Sequence, residues 1–128
     1  KAVEAQAAEG IPAAKIVLGG FSQGAAMALF VGPRHEHTLA GIMALSGYHV
    51  LRSKFEAERK EANRDTEVFF GHGTFDPVVR TAWGREAKAD FEAWSTAATH
   101  WHEYPIEHHV CPDEIEAVGA WLRDRLPR

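Results

Sequence analysis

One stretch near the start of the chain, residues 15–30, most constrains what this sequence can fold into. It begins with the short apolar run Ile16–Leu18, which is typical of a buried strand. It ends with the small-residue apolar run Ala25–Phe30, which is typical of a buried helix. Between the two runs, residues 20–24 (GFSQG) must turn the chain sharply, and we expect side chains at the flanking glycines to collide with neighbouring backbone. The stretch therefore predicts a strand, a tight turn and a helix in succession.

The turn also matches G-x-S-x-G, the nucleophile elbow of α/β-hydrolases. In that geometry the Ser22 hydroxyl lies at the tip of the turn, beside the helix N-terminus. There the backbone N–H of Gln23 can face a developing oxyanion. The motif is short, so a glycine-rich turn with an unreactive serine is the alternative interpretation.

Composition limits the classes of protein that need to be considered. The 128 residues include 45% hydrophobic and 25% charged residues, which indicates one soluble globular domain. The net charge of −4 does not favour nucleic acid or an anionic membrane surface as a partner, and no apolar run is long enough to span a membrane. The single cysteine, Cys111, excludes an intramolecular disulfide and a Cys-rich zinc site, which fits a reducing, cytoplasmic compartment. The chain starts at Lys1, inside what looks like a helix under way, so we expect a fragment.

The pattern of apolar and polar residues predicts strands that alternate with helices. The predicted strands are Lys15–Gly19, Ala40–Leu45, Glu67–Phe70 and Thr99–Tyr104. The predicted helices are the end of one over Ala2–Glu9, one from the elbow to about Val31, a short solvated one within Arg52–Arg64, and two longer ones over Thr81–Thr96 and Pro112–Leu126. The last two carry apolar stripes at helical spacing, formed by Trp83, Ala87, Phe91, Trp94 and Ala98 and by Ile115, Val118, Leu122 and Leu126. This order predicts a parallel sheet with helices on its faces, and a ligand site beyond the carboxyl ends of the strands.

Three polar loops follow predicted strands at that edge. They carry Ser22, then Asp76, then the pair His108 and His109. A serine becomes a good nucleophile only when a base takes its proton and an acid orients the base, and α/β-hydrolases use the chain order Ser, Asp, His. Asp76 as a simple turn residue before Pro77 is the alternative.

Three segments together resemble the carboxylesterase/phospholipase family, which includes acyl-protein thioesterases and small bacterial carboxylesterases. They are residues 20–24 (GFSQG), 72–79 (HGTFDPVV) and 104–111 (YPIEHHVC). By this resemblance Ser22 is the nucleophile, Asp76 the orienting acid and His108, not His109, the base. Gln23 supplies one backbone donor of the oxyanion hole.

The resemblance implies the C-terminal part of an α/β-hydrolase fold, with mainly parallel strands flanked by helices and residues 1–128 as one partial domain. It implies a serine hydrolase that acts on a small acyl ester or thioester and needs no cofactor. The family's first strands and its His-Gly loop, the source of the second oxyanion donor, have no counterpart here. We therefore expect this chain to associate with a missing N-terminal half or with another copy of itself, since its first strand would otherwise be an open edge.

Other interpretations remain open at this stage. A metal site at His35 and His37 or at His100 and His102 lacks a convincing third ligand, so we expect no metal. We expect His72 to be structural, hydrogen-bonded beneath its loop. A non-catalytic interaction module on the same fold, or a peptidase or acyltransferase with the same triad, are the alternative functions.

Overall fold

The computed structural model describes residues 10–127. Its strands are β1 (Val17–Phe21), β2 (Gly41–Leu45), β3 (Val68–Gly73) and β4 (Thr99–Tyr104), and its helices are α1 (Gln23–Arg34), α2 (Phe55–Glu58), α3 (Thr81–Trp94) and α4 (Pro112–Arg125). The strands form one sheet in the order β1-β2-β3-β4, and every neighbouring pair is parallel. The predicted parallel α/β architecture is confirmed.

The sheet is buried most completely at β3, where every residue of the strand is buried. This is why its first three residues, Val68–Phe70, are all apolar, since strands covered on both faces have no polar side to alternate with. Helix α1 packs its small residues against the sheet, and Ala25 and Leu29 are completely buried. The central core consists of Ala25, Ala28, Leu29, Leu39, Ile42, Ala44, Phe55, Val68, Phe70, Ala87, Phe91 and Trp94.

The element bounds differ from the predicted ones mainly near glycine and proline. Strand β1 begins two residues later than predicted and continues through Phe21, and β3 continues past Phe70 to Gly73. Helix α1 does not stop at Val31 but runs on through Gly32 and Pro33. Pro33 removes one helical hydrogen bond just before the helix ends at Arg34, and Gly32 lies where an added Cβ would be 2.5 Å from the Ile42 side chain. The expected helix over Ala2–Glu9 lies outside the described residues.

The buried faces of the two long helices also correct the predicted stripes. On α3, Phe91 and Trp94 are buried as expected, but Trp83 is 46% exposed, and Ala98 lies beyond the helix. On α4 the predicted stripe is wrong, because Ile115 is 60% exposed. The buried residues of α4 are instead Glu114 and Trp121, whose spacing of seven places them on the same face.

The segment from Arg52 to Arg64 contains the predicted short helix, but the segment is not wholly solvated. It forms a 3₁₀ turn at Arg52–Lys54, the single-turn helix α2 and a second 3₁₀ turn at Glu61–Asn63. Phe55 packs into the core at 4% exposure. The Asn63 side chain accepts a hydrogen bond of 2.8 Å from the Leu39 N–H. The charged composition of this segment concealed two buried residues that hold it against the sheet.

Candidate active site

The turn between β1 and α1 holds Ser22 in a backbone conformation that is rare for a residue with a side chain. Its φ is 58° and its ψ is −114°, and strain of this kind typically costs roughly 1–3 kcal/mol. Two backbone hydrogen bonds hold it there, because the Ser22 N–H donates to Leu45 O at 2.8 Å and Ser22 O accepts from the Ala26 N–H at 2.9 Å. The sheet and α1 together therefore fix the turn.

The steric requirement for glycine applies to one side of the turn and not to both. A Cβ added at Gly20 would lie 2.5 Å from the carbonyl carbon of Gly24, whereas a Cβ added at Gly24 meets nothing within 4 Å in the described part of the chain. The expectation that side chains at both glycines would collide with backbone is therefore wrong for Gly24. Gly20 is needed because the first turn of α1 crosses directly over it.

The structure brings together the three residues that the sequence placed on separate loops. The His108 Nε2 lies 2.9 Å from the Ser22 Oγ, and the His108 Nδ1 lies 2.7 Å from the Asp76 Oδ2. A carboxylate can only accept, so Nδ1 donates to Asp76 and Nε2 is left to accept from the Ser22 hydroxyl. This is the tautomer in which the ring can take a proton from the serine.

Asp76 is the buried member of this group. Its side chain is 0% exposed, against 18% for that of His108. Its second oxygen, Oδ1, accepts hydrogen bonds of 2.9 Å from the N–H groups of both Val78 and Val79. Burial raises the pKa of Asp76, but the hydrogen bonds from His108, Val79 and Val78 outweigh that effect and keep the pKa below its ordinary value. The carboxyl is therefore ionised at neutral pH.

The surroundings of Ser22 include one donor suited to an oxyanion. Gln23 is the first residue of α1, so its N–H has no acceptor within the helix and benefits from the positive end of the helix dipole. On the other side, the Phe21 ring packs at 4.9 Å between centroids on the His108 imidazole. An N–H group without an acceptor inside the helix therefore directly follows Ser22, whose hydroxyl contacts His108.

Sequence reasoning missed the donors that hold the acid loop. The N–H groups of Val78 and Val79 form an Asx-type turn with Asp76, and an aspartate before a proline is a signal that could have indicated it. His72, expected to be hydrogen-bonded beneath this loop, is 1% exposed and its Nε2 lies 2.7 Å from Val79 O. His109 is exposed.

The histidine pairs considered for a metal have other contacts. His100 lies 2.7 Å from Glu67, and His102 stacks between Phe69 and Tyr104. Partial desolvation lowers the pKa of His102, although the residue is exposed overall, and the nearby His100 lowers it further. Among residues 10–127, no three His, Cys, Asp or Glu side chains lie close enough to hold a metal ion. No helix in that described range is long and apolar enough to cross a membrane.

Comparison with known proteins shows the family of this chain. A family model described as Phospholipase/Carboxylesterase matches residues 1–125. The chain belongs to the phospholipase/carboxylesterase family. The resemblance that the three sequence segments indicated is therefore confirmed.

Individual relatives show how much of a family member this chain represents. Acyl-protein thioesterase 1 of Neurospora crassa is 41% identical over 122 residues, which cover 93% of this chain and 49% of that protein. The protein of the same name from Cryptococcus neoformans is 36% identical over an alignment of 137 positions, which covers 97% of this chain and 58% of that protein. The chain thus spans about half the length of the curated relatives it matches.

Solved structures confirm the α/β-hydrolase fold. The crystal structure of Arabidopsis thaliana SOBER1 matches with a TM-score of 0.89 at 26% identity, covering 98% of this chain and 60% of that one. A phospholipase/carboxylesterase from Dyadobacter fermentans matches with a TM-score of 0.81 at 31% identity, covering 94% and 58% of the two chains. The likeness therefore extends along nearly all of this chain.

Proposed function

We propose that this chain carries the catalytic triad of a serine hydrolase that cleaves carboxylic esters or acyl thioesters. One observation carries the proposal: the His108 ring bridges the Ser22 hydroxyl at 2.9 Å and the buried Asp76 carboxylate at 2.7 Å. The names of the relatives, which include acyl-protein thioesterases, support an acyl substrate. A cytoplasmic location and action without a cofactor belong to the same proposal.

The chemistry follows from the tautomer of His108. As the Ser22 Oγ attacks the acyl carbonyl carbon, its proton passes to the His108 Nε2, and Asp76 stabilises the imidazolium that forms. The oxyanion accepts hydrogen bonds from the Gln23 N–H and from a second donor outside the described residues. Collapse of the tetrahedral intermediate releases the alcohol or thiol, which takes the proton from His108, and leaves an acyl-enzyme. Water, deprotonated by the same ring, then releases the acid and restores Ser22.

A second candidate is an interaction module in which the triad does not turn over substrate. It is favoured by the span of the chain, about half the length of its relatives, which leaves the second oxyanion donor of the proposed mechanism outside the described residues. Under either candidate, the open edge of β1 is where we propose that the rest of a family member, or a second copy of this chain, adds to the sheet. Residues 1–128 then form one partial domain.

Covalent labelling distinguishes the two candidates. The purified chain is treated with a fluorophosphonate, which reacts only with an activated serine, and its intact mass is measured. We expect one adduct on the wild type and none on Ser22→Ala, with Ser53→Ala as a matched control that keeps the adduct. A folded wild type that gains no adduct would contradict the hydrolase proposal for this chain and favour the module.

A further inference from the structure

We propose that His72 and Gly84 are positioning residues for the Asp76–His108 pair. The buried His72 ring fixes the loop that carries Asp76, and Gly84 on α3 provides the space that this ring occupies. The inference rests on the proposed function, because it assigns a task at the same site. Neither residue contacts substrate or the reacting atoms in this scheme.

The first step of the argument is the hydrogen bond between His72 and Val79. The His72 Nε2 lies 2.7 Å from Val79 O, and a carbonyl oxygen only accepts, so Nε2 carries the proton. The N–H of the same residue, Val79, donates to the Asp76 Oδ1 at 2.9 Å. Val79 is thus held from both sides, by the His72 ring at its carbonyl and by Asp76 at its amide. Any displacement of the ring is passed on to the carboxylate through one residue.

The second step concerns the other carboxylate oxygen. The His72 Nε2 lies 3.6 Å from the Asp76 Oδ2, the oxygen that accepts from His108. This distance is too long for a hydrogen bond. It nevertheless places an N–H dipole beside a carboxylate whose side chain is 0% exposed, where water screens the interaction little. His72 therefore stabilises the orientation in which Oδ2 faces His108.

The third step is the space around the ring. A Cβ added at Gly84 would lie 2.5 Å from the His72 Nδ1 and 3.0 Å from its Cε1. The same Cβ would lie 3.3 Å from the Trp101 ring, against which the His72 ring stacks with centroids 6.2 Å apart and planes inclined by 23°. Gly84 lies inside the helix α3, where alanine is more favourable by about 1 kcal/mol. Gly84 therefore makes the helix less stable than alanine would, at a position where a side chain would displace the His72 ring.

The test displaces or replaces the ring and observes the Asp76–His108 pair. His72→Leu removes the donor at similar size, His72→Gln restores an N–H on a flexible side chain, and Gly84→Ala displaces the ring without changing it. Gly119→Ala is the matched control, because Gly119 lies within α4 and a Cβ there would approach nothing closer than 3.4 Å. Thermal unfolding of each variant establishes that it is folded.

Two readouts are compared. The first is the downfield proton resonance of the His108 Nδ1–H, which reports its hydrogen bond to Asp76 and needs no turnover. The second is hydrolysis of a p-nitrophenyl ester. We expect His72→Leu and Gly84→Ala to shift or lose the resonance and to lower kcat by roughly tenfold to a hundredfold, with KM little changed. His72→Gln should recover most of both, and Gly119→Ala should match the wild type.

The outcomes separate this inference from the proposed function. Folded His72→Leu and Gly84→Ala proteins with the wild-type resonance would overturn the inference, whatever their stability. A resonance that responds to His72 in a chain that hydrolyses no ester would keep the positioning role and contradict the hydrolase proposal. The absence of the resonance from the wild type would overturn both.

Discussion

Two histidine–carboxylate pairs lie at opposite ends of the same sheet. At the carboxyl ends of the strands, His108 contacts Asp76 at 2.7 Å, and at the amino ends, His100 contacts Glu67 at the same distance of 2.7 Å. The two carboxylates differ in their other partners. Among the described residues, the donors to Asp76 besides its histidine are backbone N–H groups, whereas Glu67 also contacts the Trp121 indole and the Arg125 guanidinium.

The surroundings of the histidines explain why one pair is a candidate for catalysis and the other is structural. The second nitrogen of His108 faces a hydroxyl on a strained turn, and its carboxylate is 0% exposed, while the Glu67 side chain is 20% exposed. The Glu67 cluster joins β3, β4 and α4, and Trp121 and Arg125 anchor the last turns of that helix. A histidine bound to a carboxylate does not make an active site unless a nucleophile is held at its other nitrogen.

The largest expected effect comes from neutralising each carboxylate in turn. Asp76→Asn removes the acceptor that sets the His108 tautomer, so we expect kcat for ester hydrolysis to fall about 10⁴-fold. Glu67→Gln should leave kcat within about threefold of wild type and should instead lower the free energy of unfolding, because it breaks contacts that hold α4. Steady-state kinetics and urea unfolding measure the two quantities. Similar losses of kcat in both variants would end the distinction between the two pairs.

The next largest effect tests the strained turn that distinguishes the candidate site. Gly20→Ala places a Cβ 2.5 Å from the carbonyl carbon of Gly24, so we expect a loss of about 3 kcal/mol in the free energy of unfolding. Gly24→Ala is its matched partner, with nothing within 4 Å of the new carbon in the described range. It should be neutral or stabilising by up to about 1 kcal/mol. Urea unfolding measures both variants. Equal losses in the free energy of unfolding would contradict the asymmetry between Gly20 and Gly24.

Sequence reasoning predicted the fold well where a pattern had one physical cause. The strand Thr99–Tyr104 and the start of the last helix at Pro112 match the structure, because alternation and first-turn proline are local signals. The buried face of α4 could not be read in this way. Ile115 and Leu126 of its apolar stripe are exposed, while Glu114 is buried at 0% exposure, and an acidic side chain inside the protein contradicts every hydrophobicity pattern.

The candidate site also has a part that the sequence predicted and a part that it could not predict. Chain order and short motifs sufficed to bring together Ser22, Asp76 and His108. The support beneath them could not be predicted, because the contacts of His72 with Val79 and of Gly84 with His72 depend on how α3 lies against β3. Such packing is a property of the tertiary structure and leaves no spacing signal in the sequence.

A third carboxyl, that of Glu114, is buried like the carboxyl of Asp76 but lacks comparable hydrogen bonds. Neither of its oxygens has a hydrogen-bond partner among the described residues, and a Cβ added at Gly71 would lie within van der Waals overlap of its Oε2. Burial raises the pKa of Glu114 from 4.5 to about 7, and the nearby Cys111 backbone N–H, which forms no hydrogen bond of good geometry with the carboxyl, offsets only part of that rise. Asp76 and Glu114 thus show that hydrogen-bond donors, and not burial alone, decide the direction of the pKa shift.

The smallest of these effects is a pH dependence of stability that Glu114→Gln should remove. The folded state binds the Glu114 proton more tightly than the unfolded state, so its contribution is fully present below about pH 4.5 and is lost as the pH rises through about 7. The shift corresponds to at most about 3 kcal/mol. Glu114→Gln should therefore unfold at a higher urea concentration than the wild type at pH 8, and the two should converge near pH 5. Glu116→Gln, an exposed change on the same helix, is the control for the titration of histidines. If the two glutamine variants show parallel profiles of unfolding urea concentration against pH, the Glu114 carboxyl does not bind its proton more tightly in the folded chain.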